Sequence, residues 1–152
     1  MIQRVQSVYL LVVTVLMATI FAYPYAELMS SDSQLFIFNF NGLSKFSEEG
    51  MYLKIVPPIV LLVVIVLIAF VSIFLYKKRI LQIRLNIFNI VLMFGYLGLN
   101  YYYIQNFSKQ LDGIVSYKIV AVFPFVAIIL TYLAVRSIGK DEALIRSMDR
   151  IR

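Results

Sequence analysis

The chain has 152 residues, 62% of them hydrophobic, and a mean hydropathy of +0.88. Soluble domains run at roughly 45–50% apolar residues, so this composition excludes an ordinary soluble domain and points to one integral membrane domain. Cys, His and Trp are absent, which excludes thiol and imidazole chemistry, disulfides and the usual zinc sites, and membrane orientation accounts for the net charge of +6 without nucleic acid.

A short polar start, Met1 to Gln6, carries Arg4 and leads into a first apolar span predicted over residues 6–26. A signal peptide shares its single charge and short apolar core. Yet Tyr23, Pro24 and Tyr25 stand where a small-residue cleavage site would fall, and aromatics there fit an interfacial belt. The run is therefore read as a retained helix. Ser7, Leu11, Thr14 and Ala18 recur at helical spacing and, small at three of those four positions, are expected to face a neighbouring helix.

Residues 27–54 form the long polar connection, read as an outer loop. Ser30, Ser31, Asp32 and Ser33 give it a turn-rich entry. Asn41-Gly42, between Leu35–Phe40 and Leu43–Phe46, predicts a two-residue β-hairpin turn. Phe36, Phe38 and Phe40 then share one face. Because an isolated hairpin is marginal, that face is expected to rest on the helix ends or the lipid interface. A partner-binding surface is the alternative.

The second span, over 55–76, runs about 22 residues without a charge, roughly 33 Å as a helix and enough to cross a bilayer. Pro57 and Pro58 lie in its first turn, where a missing N–H is harmless. Lys77, Lys78 and Arg79 follow as a basic lock, and Lys77 to Arg84 is too apolar for an open loop.

The third span, over 85–104, is the most polar. Asn86, Asn89, Met93, Tyr96 and Asn100 fall within one arc of the helical wheel. Asn86, Asn89, Tyr96 and Asn100 are expected to be a helix-packing polar face whose amides bond across helices; a polar path for a solute is the alternative. Tyr101, Tyr102 and Tyr103 mark the outer interface, and Asp112-Gly113 turns the chain round.

The fourth span, over 118–136, contains Pro124, expected to kink it, and the hydroxyl of Thr131. The tail, 137–152, is predicted to be a separate amphipathic cytoplasmic helix. Leu144, Ile145, Met148 and Ile151 share its apolar face, with Arg146, Asp149 and Arg150 opposite. Its apolar stripe, with Arg146 and Arg150, fits anionic lipid or a protein partner equally.

Charge orients the spans. With four crossings, ten Lys and Arg residues fall with the termini and four, Lys45, Lys54, Lys109 and Lys118, on the other side. The positive-inside rule places both termini in the cytoplasm. No Asp, Glu, Lys or Arg lies within the apolar cores, which disfavours ion-coupled transport. Glu48-Glu49 is a solvated pair rather than an acid–base couple, and no phosphate loop, nucleophile elbow or metal spacing occurs. No cofactor, metal site or catalytic residue is expected.

The fold expected is thus an all-α membrane protein: a four-transmembrane-helix bundle with a small periplasmic β-hairpin and an amphipathic C-terminal helix. The opening MIQRVQSVYLL and the ending KDEALIRSMDRIR, with four spans between, resemble an uncharacterised bacterial membrane-protein family of the Bacteroidota type. That resemblance covers essentially the whole chain and implies a small inner-membrane protein of the cell envelope, without an activity. The layout is similar, at the level of topology alone, to claudin-like proteins. The function expected is a non-enzymatic structural or accessory subunit of an envelope complex, in contact with lipid and other membrane proteins. A small channel or carrier lined by Asn86, Asn89 and Asn100 is the alternative, and a lipid-handling enzyme comes third.

Overall fold

The computed structural model describes residues 3–30, 34–46 and 51–149. Among them are four helices, α1 (Gln3–Thr19), α2 (Val56–Phe74), α3 (Arg79–Gln110) and α4 (Phe123–Asp149), with short strands in the first and third connections. α1 and α3 each pack chiefly on α2 and α4, which closes the four into a ring. Three helical stretches, Val56–Phe74, Arg79–Gln110 and Ile119–Ile145, are long and apolar enough to cross a membrane; the apolar part of α1, Val5–Thr19, is shorter.

Several boundaries differ from expectation for local reasons. α1 stops at Thr19 and not at 26: a turn follows, and Tyr23, before Pro24, is disfavoured in helical geometry. Its buried face is Gln6, Leu10, Val13, Met17 and Ile20, whereas Leu11 is exposed and Thr14 Oγ1 donates to its own helix at Leu10 O. The expected small-residue stripe is therefore not the packing face; larger side chains fill the interior instead.

α2 begins with prolines in its first turn, as read, and ends in a 3-10 turn over Leu75–Lys77. α3 starts directly after it and runs 32 residues, beyond both ends of the expected span. Pro124 does not kink a helix interior. It sits in the first turn of α4, just after a 3-10 turn over Ile119–Val122, where its missing N–H breaks no ladder. Nor is the tail a separate helix. α4 continues unbroken to Asp149, with Ile138 fully buried and the Gln6 side-chain amide donating to the Asp141 carboxylate.

The hairpin belongs to a larger sheet. β1 (Ala26–Met29), β2 (Leu35–Asn39), β3 (Gly42–Lys45), β4 (Met51–Lys54) and β5 (Ile114–Tyr117) form one antiparallel sheet in the order β4-β3-β2-β1-β5. Both connections on this side of the bundle therefore meet, with Glu27 opposite Ser116 and Ile37. Asn39 pairs with Gly42, so the turn residues are Phe40 and Asn41, one position earlier than expected. Gly42 brings its positive φ of 130° to the first residue of β3. The Lys118 ammonium lies 2.8 Å from the Glu27 carboxylate and ties β5's exit to β1. Ser31 to Ser33 and Glu48-Glu49 lie outside the described residues.

Alternation decides what the sheet covers. Ala26, Leu28, Phe36, Phe38 and Leu43 point one way and are buried, and their registers place Ala26 opposite Phe38, Leu28 opposite Phe36 and Phe38 opposite Leu43. This layer joins the helix interior through ring contacts. Tyr25 meets Tyr96 edge-on at 6.3 Å, and Phe38 lies 6.3 Å from Phe107. One core thus runs from the sheet into the bundle.

Candidate functional site: a buried polar face and a cationic recess

α3 buries Gln82, Asn86, Asn89, Met93, Tyr96, Asn100, Ile104 and Phe107, spaced three or four apart, so one stripe faces inward along most of the helix. Its half nearer the sheet is largely aromatic and aliphatic. Its other half is amide-rich and faces Ser72 of α2, also fully buried.

The amides bond mostly within their own helix. Asn86 Nδ2 donates to Gln82 O at 2.9 Å and Asn100 Nδ2 to Tyr96 O at 2.8 Å. Thr131 does the same on α4, donating to Ala127 O at 2.7 Å. Within this stripe a bond across helices comes from Gln82, whose Nε2 donates to Ser72 O at 2.8 Å. Gln82 lies four residues before Asn86 on the same face, a signal hidden because the expected span began after Arg84. Ser72 and Gln6, too, were not singled out in the sequence.

Several buried polar atoms have no partner within the protein: Ser72 Oγ, Asn86 Oδ1, both amide atoms of Asn89, and Arg79 Nη1. Arg79 precedes Gln82, Asn86 and Asn89 by three, seven and ten residues, so the unpartnered atoms of α3 fall on one stripe. Buried polar groups are normally matched by protein or ordered water, and each unmatched one costs about 1–3 kcal/mol. On this half of the interior the protein leaves hydrogen-bonding capacity unmet, of the kind that ordered water fills where there is room for it.

The other candidate contacts divide sharply. Phe36 and Phe38 are core residues, and Phe40 is half-buried and edge-on to Phe21 at 5.2 Å, so the phenylalanine row packs largely against the protein's own interior. In the tail, Leu144 and Ile145 are 59% and 42% exposed. The Arg146 and Met148 side chains, and Arg150 and Ile151 altogether, lie outside the described residues.

Of the recesses among the described residues, two open at opposite ends. Beside the sheet, a groove of about 870 Å³ lies between α3 and the start of α4, walled by Phe94, Leu97, Tyr101 and Phe125, with Lys118 among its lining. At the far end, Lys78, Arg79 and Arg84 converge with Glu142 and Ile145 of α4 on a recess of about 490 Å³. No group of three or more potential metal ligands occurs among the described residues.

These features define a small, mostly helical protein with three membrane-length helices and a five-stranded sheet closing one end. The chain belongs to the DUF4293 family, a domain of unknown function, which it matches over residues 2–151. No curated protein matches it.

Proposed function

We propose that this is an inner-membrane protein with four crossings and both termini cytoplasmic, acting as a non-enzymatic structural or accessory subunit of a cell-envelope complex. One observation carries the reading: apolar side chains are exposed on every helix while the amide face of α3 is turned inward. Val8 and Leu11 on α1, Val60 and Leu67 on α2, Phe88 and Val91 on α3, and Phe125 and Ile129 on α4 all lie outward. Exposed apolar surface of this extent calls for lipid or protein cover. In lipid, the apolar part of α1, Val5–Thr19, would span roughly 22 Å, well short of a hydrocarbon core of about 30 Å, a mismatch that local bilayer thinning would have to absorb. The positive-inside rule supplies the orientation.

The test is co-purification from native membranes after gentle solubilisation. A stoichiometric membrane partner is expected. Solute flux through the purified protein in liposomes, with no partner recovered, would replace this reading by a channel or carrier. That second reading has its own support in Asn89, whose amide is fully buried and unmatched.

A further inference from the structure

We propose that the recess at the α2–α3 junction binds a phosphate group through Lys78, Arg79 and Arg84. A membrane protein's orientation requires cations on one side of the bilayer, but it does not require them to share a cavity. Among the described residues, three cations line one recess of about 490 Å³ with one carboxylate, Glu142. Positive charge therefore exceeds negative charge at the site, and gathering it there costs self-repulsion unless an anion joins it.

The donor set matches phosphate. Two guanidinium groups provide planar forks that pair with phosphate oxygens, and Lys78 adds a mobile point charge. Arg79 lines the recess, and its Nη1, itself buried, has no protein partner. Ile145 provides apolar wall beside the cations, which suits a phosphate ester with a hydrocarbon portion.

Two sources carry that chemistry: the headgroup of an anionic phospholipid, or a soluble phosphate compound. The lipid source rests on the membrane reading above; the site itself does not. Reporter fusions test the topology separately, so failure of one idea is distinguishable from failure of the other.

The experiment uses the full chain in detergent. Native mass spectrometry with added phosphatidylglycerol or phosphatidylcholine reads lipid retention, and a thermal-shift titration with inorganic phosphate reads the soluble source. Lys78 and Arg84 are exposed, so the double variant Lys78→Gln, Arg84→Gln is expected to fold. Each cation near an anionic lipid surface contributes about fivefold in affinity, so the double variant should lose about 25-fold. Preferential retention of phosphatidylglycerol, lost in the double variant, supports the lipid source. Stabilisation by inorganic phosphate without lipid preference, again lost in the variant, supports the soluble one. Two results overturn the proposal: neither probe binding the wild-type chain, or binding that survives the double variant and disappears with Arg146→Gln, Arg150→Gln.

Discussion

The Gln82 side-chain amide donates to the backbone carbonyl of Ser72, joining α3 to α2 at 2.8 Å in a buried setting. That carbonyl is available because α2 ends there. The Leu75 N–H already reaches Ser72 O in a tighter 3-10 turn, and the carbonyl's second lone pair takes the glutamine. A side chain of α3 thus finishes the end of α2 and sets the turn between them.

Gln82→Leu should therefore destabilise the protein by about 1–2 kcal/mol, because it leaves a buried carbonyl under-satisfied. Thermal unfolding in detergent checks this. A variant as stable as the parent would show that the bond makes no net contribution.

Asn89 should respond in the opposite sense. Both of its amide atoms lack a protein partner, so Asn89→Leu removes a desolvated group and should raise stability by about 1–2 kcal/mol. Asn100→Leu, which also deletes the bond to Tyr96 O, should gain less or lose. A marked fall for Asn89→Leu would reveal a polar molecule held by that amide.

Gly113 is fixed by its neighbours. A Cβ there would lie 2.7 Å from Met29 O, a backbone atom of β1. The Gly113 N–H also closes the end of α3 by donating to Ser108 O at 3.0 Å, with Asp112 in the left-handed region at φ 43°. Gly113→Ala should cost about 1–3 kcal/mol by forcing β1 and β5 apart. Asp112→Gly should stay within about 1 kcal/mol of the parent, since glycine accepts the same φ. Paired unfolding curves decide; equal losses at both positions would contradict the steric account.

Reporter fusions after Ser44 and after Asp112 should report the outside, and a fusion after Arg152 the inside. A C-terminal fusion reporting outside would mean that the first run is cleaved or that one of the four spans is missing.

The parts of the fold legible in the sequence are those with a short-range cause. An uncharged run behind Pro57 and Pro58 marks α2, and the spacing of Asn86, Asn89, Met93, Tyr96 and Asn100 marks the stripe that α3 buries. Asn41-Gly42 announced a turn, though placed one residue late. What escaped depends on distant pairing. Nothing near Ser116 signals that it will lie opposite Glu27, and nothing near Arg79 signals that Ile145 will close a recess over it. The amide face was legible as inward-facing, but its bonding was not. A helix carbonyl four residues back is a partner that lies within reach of any asparagine, and the expectation of bonds across helices overlooked it.

The place of β5 at the end of the sheet has a consequence for biosynthesis. β1 to β4 are contiguous in the chain, whereas β5 emerges only after α2 and α3 have been made. Until then β1 presents an open edge, with unpaired N–H and C=O groups along one side, to whatever strand it first meets. The growing chain must carry that edge through the synthesis of two helices, and only the arrival of Ile114–Tyr117 retires it. A chain halted before residue 114 is therefore the species most exposed to strand-mediated misassembly, and a chaperone acting on this protein would have its interval there.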